Sequence, residues 1–155
     1  PFGVKLLYYD IVQLSAEDEK KYQAVYATLE EILKTSDVVS LHLPLLEATT
    51  KIINAEKLAL MKPSAILINV GRGALVDEAA LAEALRAKKI AMAAVDVFVE
   101  EPPPQNHPLF GLENAILTPH LAGSTRESGG RIINMAMDNM IRVMKGEKPL
   151  WVLNL

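Results

Sequence analysis

Cysteine is absent from the 155 residues, so disulfide frameworks, thiolate-bound zinc, iron–sulfur clusters and thiol catalysis are excluded, and a reducing compartment fits. Aromatic side chains make up only 5% of the chain. No apolar stretch approaches the ~18–20 residues a spanning helix requires. The N-terminus lacks the charged-then-apolar pattern of a signal segment, so a cytoplasmic protein with no membrane partner is expected. Basic charge is not in surplus: 16 Lys and Arg stand against 19 Asp and Glu, a net −3. These cations are scattered rather than striped, which removes nucleic acid as an expected partner. Three histidines occur, no two at helical spacing, and carboxylates do not cluster, so no metal site is expected. A Gly-x-Ser-x-Gly elbow is also missing, which removes a serine hydrolase. What is present is half apolar and 23% charged, an ordinary globular composition with room for one domain. The chain opens at Pro1 without methionine and passes directly into apolar residues; it reads as a segment of something longer.

Five apolar runs predict strands: Val4 to Tyr9, Val38 to Leu43, Ala65 to Val70, Ile90 to Phe98 and Ala115 to Thr118, with Tyr22 to Tyr26 as a shorter sixth. They are mostly continuous rather than alternating, which predicts a parallel sheet covered by helices. Helix punctuation lies between them. Thr28 and Glu31 form a capping-box pair, Asn54 opens a short helix that Pro63 stops, and Asp77 with Glu78 opens another whose Leu81 and Leu85 face a core. Arg86, Lys88 and Lys89 suit that helix's C-terminal dipole. Ser124 and Glu127 predict a last helix on which Ile133, Met137, Met140, Ile141 and Met144 recur at helical spacing up to Gly146. Its methionines, Met135 among them, are expected as core filler. Strands alternating with helices predict a doubly wound, Rossmann-like α/β sheet, with Glu101 to Pro108 as a rigid excursion above it.

In such a sheet, ligands bind beyond the carboxyl ends of the strands. Asp10, Gly71-Arg72-Gly73, Asp96 with Glu101, and His120 all fall at such ends. Asp10 is either the acid that accepts from an adenosine ribose, disfavouring the 2′-phosphate of NADP, or a solvated loop aspartate. Arg72, between two glycines, can approach a ligand and grip a carboxylate with both arms of its fork, or can answer a helix C-terminus. His120 is a proton donor if Glu101 reaches its ring. Asp96, inside an apolar run, needs a hydrogen-bond donor from a ligand amide or from neighbouring backbone. His42 is expected as a hydrogen-bonded histidine near a sheet edge and His107 as a plain loop residue.

Taken together, Ile68-Asn69-Val70-Gly71-Arg72-Gly73, Val76-Asp77-Glu78-Ala79-Ala80-Leu81, Val95-Asp96-Val97-Phe98 with Glu101-Pro102, and Leu117-Thr118-Pro119-His120 resemble the NAD-dependent D-isomer-specific 2-hydroxyacid dehydrogenases. The resemblance extends over almost the whole chain, and His120 is followed by the Gly123-Ser124-Thr125 turn. It implies a catalytic set of Arg72, Glu101 and His120, the glutamate being the one immediately before Pro102 and five residues after Asp96. It also implies NAD contacts at Asp10 on the adenosine ribose, at Leu43, Pro44 and Thr49 along the adenine side, at Val70, Gly71, Arg72, His120, Ala122 and Gly123 near the nicotinamide ribose, and at Asp96 on the carboxamide. Leu46 and Thr50 depart from the pattern of many relatives.

Members of that family are about twice this long. By the resemblance, residues 1–145 form a partial NAD-binding domain, and 146–155 a tail returning to an absent substrate domain. The first strand and the glycine-rich phosphate loop are missing, which predicts two unpaired sheet edges and a poorly stable, inactive piece when expressed by itself. The implied activity of the intact protein, expected as a homodimer, is hydride transfer between NAD(H) and a small 2-oxo or 2-hydroxy acid of the glyoxylate, hydroxypyruvate, lactate or phosphoglycerate type. A dinucleotide-sensing, corepressor-like binding protein on the same fold is the alternative. A formate enzyme is disfavoured, because such relatives carry glutamine where Glu101 stands.

Overall fold

The apolar runs do become strands, each shorter than its run. The computed structural model describes residues 3–152. It contains β1 (Leu6–Tyr8), α1 (Ala16–Tyr22), β2 (Ala24–Tyr26), α2 (Leu29–Thr35), β3 (Val38–Leu41), α3 (Ala55–Leu58), β4 (Ile66–Asn69), α4 (Glu78–Arg86), β5 (Met92–Val95), β6 (Ala115–Leu117) and α5 (Arg126–Met144). Asp96 therefore stands just past β5 rather than inside it. The described residues fall into two compact units, one running to His120 and one beginning at Leu121.

In the first unit all pairing is parallel: β1 pairs with β2, and β3, β4, β5 and β6 lie side by side in that order. Parallel pairing turns the carboxyl ends of β3, β4, β5 and β6 toward one rim of their sheet, and those of β1 and β2 toward one rim of theirs. Among the described residues β1, β2, β3 and β6 each have one hydrogen-bonded neighbour, and β1 and β3 are the two edges that the sequence leads one to expect unpaired.

Local chemistry starts the helices where their caps stand. Thr28 and Glu31 complete a capping box on α2, Asn54 caps α3, and Asp77 caps α4 by accepting from the Ala80 N–H. The helix α1 has no counterpart in the apolar pattern, because none of its residues is buried. Ser15 caps it, with Glu17, Asp18 and Glu19 in its first turn and Lys20 and Lys21 in its last, an arrangement that follows the helix dipole. In the second unit the cap of α5 is Thr125, not Ser124. The Ser128 hydroxyl accepts from the Thr125 N–H at 2.9 Å and donates to the Gly123 carbonyl at 2.7 Å, so the reciprocal box forms one residue later than the Ser-x-x-Glu pattern suggests.

One core joins α2, α3 and α4 to the four-stranded sheet. Leu33, Leu58, Leu81 and Leu85 from the helices meet Leu41, Leu67, Ala93 and Val95 from the strands. Each of these leucines removes about 2 kcal/mol worth of apolar surface from water. The two sheet faces are unequally covered in this unit: along β4, Leu67 and Asn69 are buried while Ile66 and Ile68 are half-buried. The methionines of α5 are not core filler. Met137, Met140 and Met144 are exposed, and the helix has no buried residue; helical periodicity marks an apolar face, but burial requires an opposing surface.

Candidate active site

The rim of the four-stranded sheet begins with Asn69, the last residue of β4 and 1% exposed. Its side chain accepts from the Gly71 N–H at 3.2 Å and donates to the Arg72 carbonyl at 2.9 Å, moulding the turn that carries Arg72. The sequence offered a signal for this in an amide closing an apolar strand directly before Val-Gly-x-Gly. The flanking glycines are required by the protein's own packing. A Cβ on Gly73 would lie 2.0 Å from the Phe98 carbonyl carbon, and one on Gly71 would lie 2.8 Å from Leu75 Cδ1 and 3.1 Å from the Leu43 carbonyl oxygen. Close approach to their own chain is what requires glycine there. The guanidinium of Arg72 is exposed and donates from Nη1 to the Gly71 carbonyl at 2.7 Å; it answers no helix C-terminus in that bond.

Two residues apart by nineteen positions meet at the next strand ends. His120 Nδ1 lies 2.9 Å from Glu101 Oε2, with the side chains 54% and 39% exposed. Glu101 Oε1 accepts from the Phe98 N–H at 3.0 Å, so the carboxylate is anchored on one oxygen and presents the other to the ring. His120 adopts φ of 55° while its N–H donates to the Asp96 carbonyl at 2.8 Å. A non-glycine residue in the left-handed region is a small strain that the surrounding bonds must hold. The His120 hydrogen bond, helped by the Phe98 N–H, keeps the Glu101 carboxyl below the usual carboxylate range. Desolvation and the nearby Asp96 oppose this more weakly. With Nδ1 committed to Glu101, Nε2 is the nitrogen left for proton exchange.

Asp96 is 5% exposed, and its Oδ1 accepts from the Thr118 hydroxyl at 2.5 Å. Thr118, the residue that follows β6, supplies that bond. His42, following edge strand β3, lies 2.9 Å from the Ser40 hydroxyl, as expected for a hydrogen-bonded histidine. Beyond it come Leu43 and Pro44, and the Thr49 hydroxyl donates to the Pro44 carbonyl at 2.7 Å while accepting from the Leu46 N–H at 2.8 Å. Asp10 follows β1, where its Oδ1 accepts from the Val12 N–H at 3.2 Å. Val70 precedes Gly71 on the same rim, whereas Ala122 and Gly123 belong to the second unit. His107 departs from its expectation as a plain loop residue, being only 6% exposed. Among the described residues no cluster of three His, Asp or Glu side chains is disposed to hold a metal ion, and no helix is long and apolar enough to cross a membrane.

Comparison with known proteins shows the family to which this fold belongs. Residues 1–122 match the family model described as D-isomer specific 2-hydroxyacid dehydrogenase, NAD binding domain. A glyoxylate reductase of Aeropyrum pernix is 45% identical over 96% of the chain, and one of Thermofilum pendens is 44% identical over 99%. The chain spans less than half of these relatives, 44% and 45% of their lengths. Among solved structures, D-lactate dehydrogenase with NAD+ from Lactobacillus jensenii superposes with a TM-score of 0.89 at 36% identity, covering 99% of this chain and 49% of that one. With this family match and these identities, the chain belongs to the D-isomer specific 2-hydroxyacid dehydrogenase family through its NAD-binding domain.

Proposed function

We propose that the protein carrying this chain transfers hydride between NAD(H) and a small 2-oxo or 2-hydroxy acid, with glyoxylate the first acceptor to test. The observation that carries the reading is the 2.9 Å contact between His120 Nδ1 and Glu101 on the rim that also bears Arg72. A carboxylate-oriented imidazole and a guanidinium at the carboxyl ends of one parallel sheet are a donor set suited to a 2-oxo acid, which presents a carboxylate and an adjacent carbonyl.

The rim also suits the dinucleotide. Asp10 offers a carboxylate to ribose hydroxyls and repels a 2′-phosphate, Leu43 and Pro44 supply an apolar wall with Thr49 bracing it, and Val70, Gly71 and Asp96 add contacts at the strand ends. No Gly-x-Gly-x-x-Gly occurs in the sequence, so the pyrophosphate grip is not among these residues. When bound, NADH supplies the hydride that reaches the carbonyl carbon. The residues of the chain do the rest. Arg72 holds the substrate carboxylate and polarises the carbonyl. His120 gives its Nε2 proton to the carbonyl oxygen in reduction and accepts it in oxidation, and Glu101 stabilises the imidazolium and fixes the ring. Residues 1–145 would form part of the cofactor domain and the segment from Gly146 a tail leading toward a substrate domain. Of that tail, residues 153–155 lie outside those described. The same reading includes a cytoplasmic homodimer, supported by the cysteine-free sequence and the family resemblance respectively.

The test follows NADH absorbance in the full-length protein with glyoxylate, hydroxypyruvate and pyruvate. Arg72→Ala is expected chiefly to raise KM for the oxo acid. His120→Ala is expected to lower kcat by about 10²–10⁴-fold with NADH fluorescence titrations unchanged. Equal loss of cofactor binding in both variants overturns these roles.

A further inference from the structure

The buried polar or charged residues of the described chain are Asn69, Asp96 and His107. The rim accounts for the first two and leaves His107. Its Nδ1 faces the Leu109 N–H at 3.4 Å, which places the proton of a neutral ring on Nε2. That nitrogen is 3.2 Å from Glu78 Oε2 but off the line of a well-formed hydrogen bond, so the contact is a close electrostatic one. The other oxygen, Glu78 Oε1, accepts from the Val99 N–H at 3.0 Å. The ring also stands edge-on to Phe98, with centroids 5.2 Å apart, and lies beside Phe110 at 5.5 Å.

These contacts converge on the Phe98–Val99 peptide, and so does the site. The Phe98 N–H anchors Glu101 Oε1 at 3.0 Å. The carbonyl carbon of Phe98 is the atom that a Cβ at position 73, next to Arg72, would strike at 2.0 Å. One short stretch of backbone thus abuts the Arg72 turn on one side and bears the anchor of the Glu101–His120 pair on the other. We propose that Glu78 and His107 are positioning residues that hold this peptide in place and through it keep Glu101 on the imidazole of His120. The kinetic part of the test rests on the hydride-transfer reading above; the spectroscopic part does not.

A ring that merely fills space between Phe98 and Phe110 makes the opposite demand on substitutions. His107→Phe preserves an aromatic ring and removes the N–H, whereas His107→Gln preserves an N–H at the reach of Nε2 and fills the space less well. Positioning through Glu78 predicts that His107→Phe lowers kcat by about 10- to 100-fold, the scale of a small misplacement at a reacting centre, with NADH affinity unchanged. It predicts that His107→Gln restores kcat to within about threefold of the parent, well inside that loss. In a Glu101→Gln background, His107→Phe should have no further effect, since both act through one contact. Nitrogen-15 spectra of the full-length protein should show the His120 Nδ1–H signal shifted or broadened by His107→Phe and recovered in His107→Gln. Should His107→Phe not fold, Glu78→Ala, in the first turn of α4 where alanine suits the helix, must give the same loss of kcat and the same change at His120. Parental kcat in His107→Phe, a glutamine variant worse than the phenylalanine one, or multiplicative losses with Glu101→Gln overturns the proposal. If the parent protein oxidises NADH with no 2-oxo acid, the hydride-transfer reading fails. The spectra then decide: an unchanged His120 signal in His107→Phe ends the positioning role as well.

Discussion

The candidate residues stand on two unequal supports. Arg72, Glu101 and His120 follow β4, β5 and β6 of a four-stranded sheet packed on a core in which Leu67, Leu75 and Leu109 are almost wholly buried. Asp10 follows β1 of a two-stranded sheet, flanked by Ile11 at 90% and Val12 at 71% exposure. Both ends carry acidic or basic groups after apolar strands, and a sequence reading treats them alike. The difference is in what holds them. Glu101 is fastened by the N–H of buried Phe98, and His120 by donating its own N–H to the carbonyl of buried Asp96, whereas the Asp10 side chain accepts from Val12 within its own loop. Among the described residues the Glu101–His120 pair therefore stands over a packed core and Asp10 on an exposed loop.

That contrast can be broken or sharpened experimentally. Leu67→Ala, in the middle of β4, is expected to cost about 2–5 kcal/mol of stability, while Val25→Ala in β2, 52% exposed, should stay within roughly 0.5 kcal/mol; chemical denaturation of the full-length protein compares them, and equal costs would erase the contrast. Gly73→Ala is expected next in size. Its Cβ meets backbone rather than a flexible side chain, so overpacking of about 1–3 kcal/mol should accompany a large fall in kcat as Phe98 is pushed away, which thermal melts and NADH kinetics together would read. The smallest effect concerns pH. Because the Glu101 carboxyl is held below its ordinary value, its contribution to stability is fully present above the unfolded value of about 4.3 and disappears as pH falls through the lower folded one. The Tm difference between the parent and Glu101→Gln should therefore not lose Glu101's contribution through carboxylate protonation between pH 7 and 5, and should collapse only below about pH 4; a collapse already complete at pH 5 would mean that the carboxylate is not held by His120 and Phe98.

Much of the rim was legible because its signals are local. Apolar runs ending in Asp10, Gly71-Arg72-Gly73 and His120 located strand ends, and family resemblance chose Glu101 over Glu100 by its place before Pro102. The pair at 2.9 Å bears out the condition set for a proton-donating histidine. His107 was not legible, since a histidine between Asn106 and Pro108 carries every local mark of a solvated loop. Its burial comes from Phe98, Phe110 and Glu78, which are brought together by packing. The partner of Asp96 was hidden for the same reason: Thr118 lies 22 positions away and becomes a neighbour through the parallel pairing of β5 with β6. Helix α1 escaped notice because hydrophobic periodicity cannot report a helix that buries nothing.

The amino-acid order by itself determined the alternation of most strands and helices, the caps of α2, α3 and α4 and the glycine turn around Arg72, all of which depend on neighbours within a few positions. Tertiary structure alone decided that Glu101 reaches His120, that Gly73 yields its space to Phe98, that His107 is buried and that the methionines of α5 are not. These are contacts between distant positions or the lack of them, and they follow from strand register and the closing of loops, quantities that no local period in the chain records.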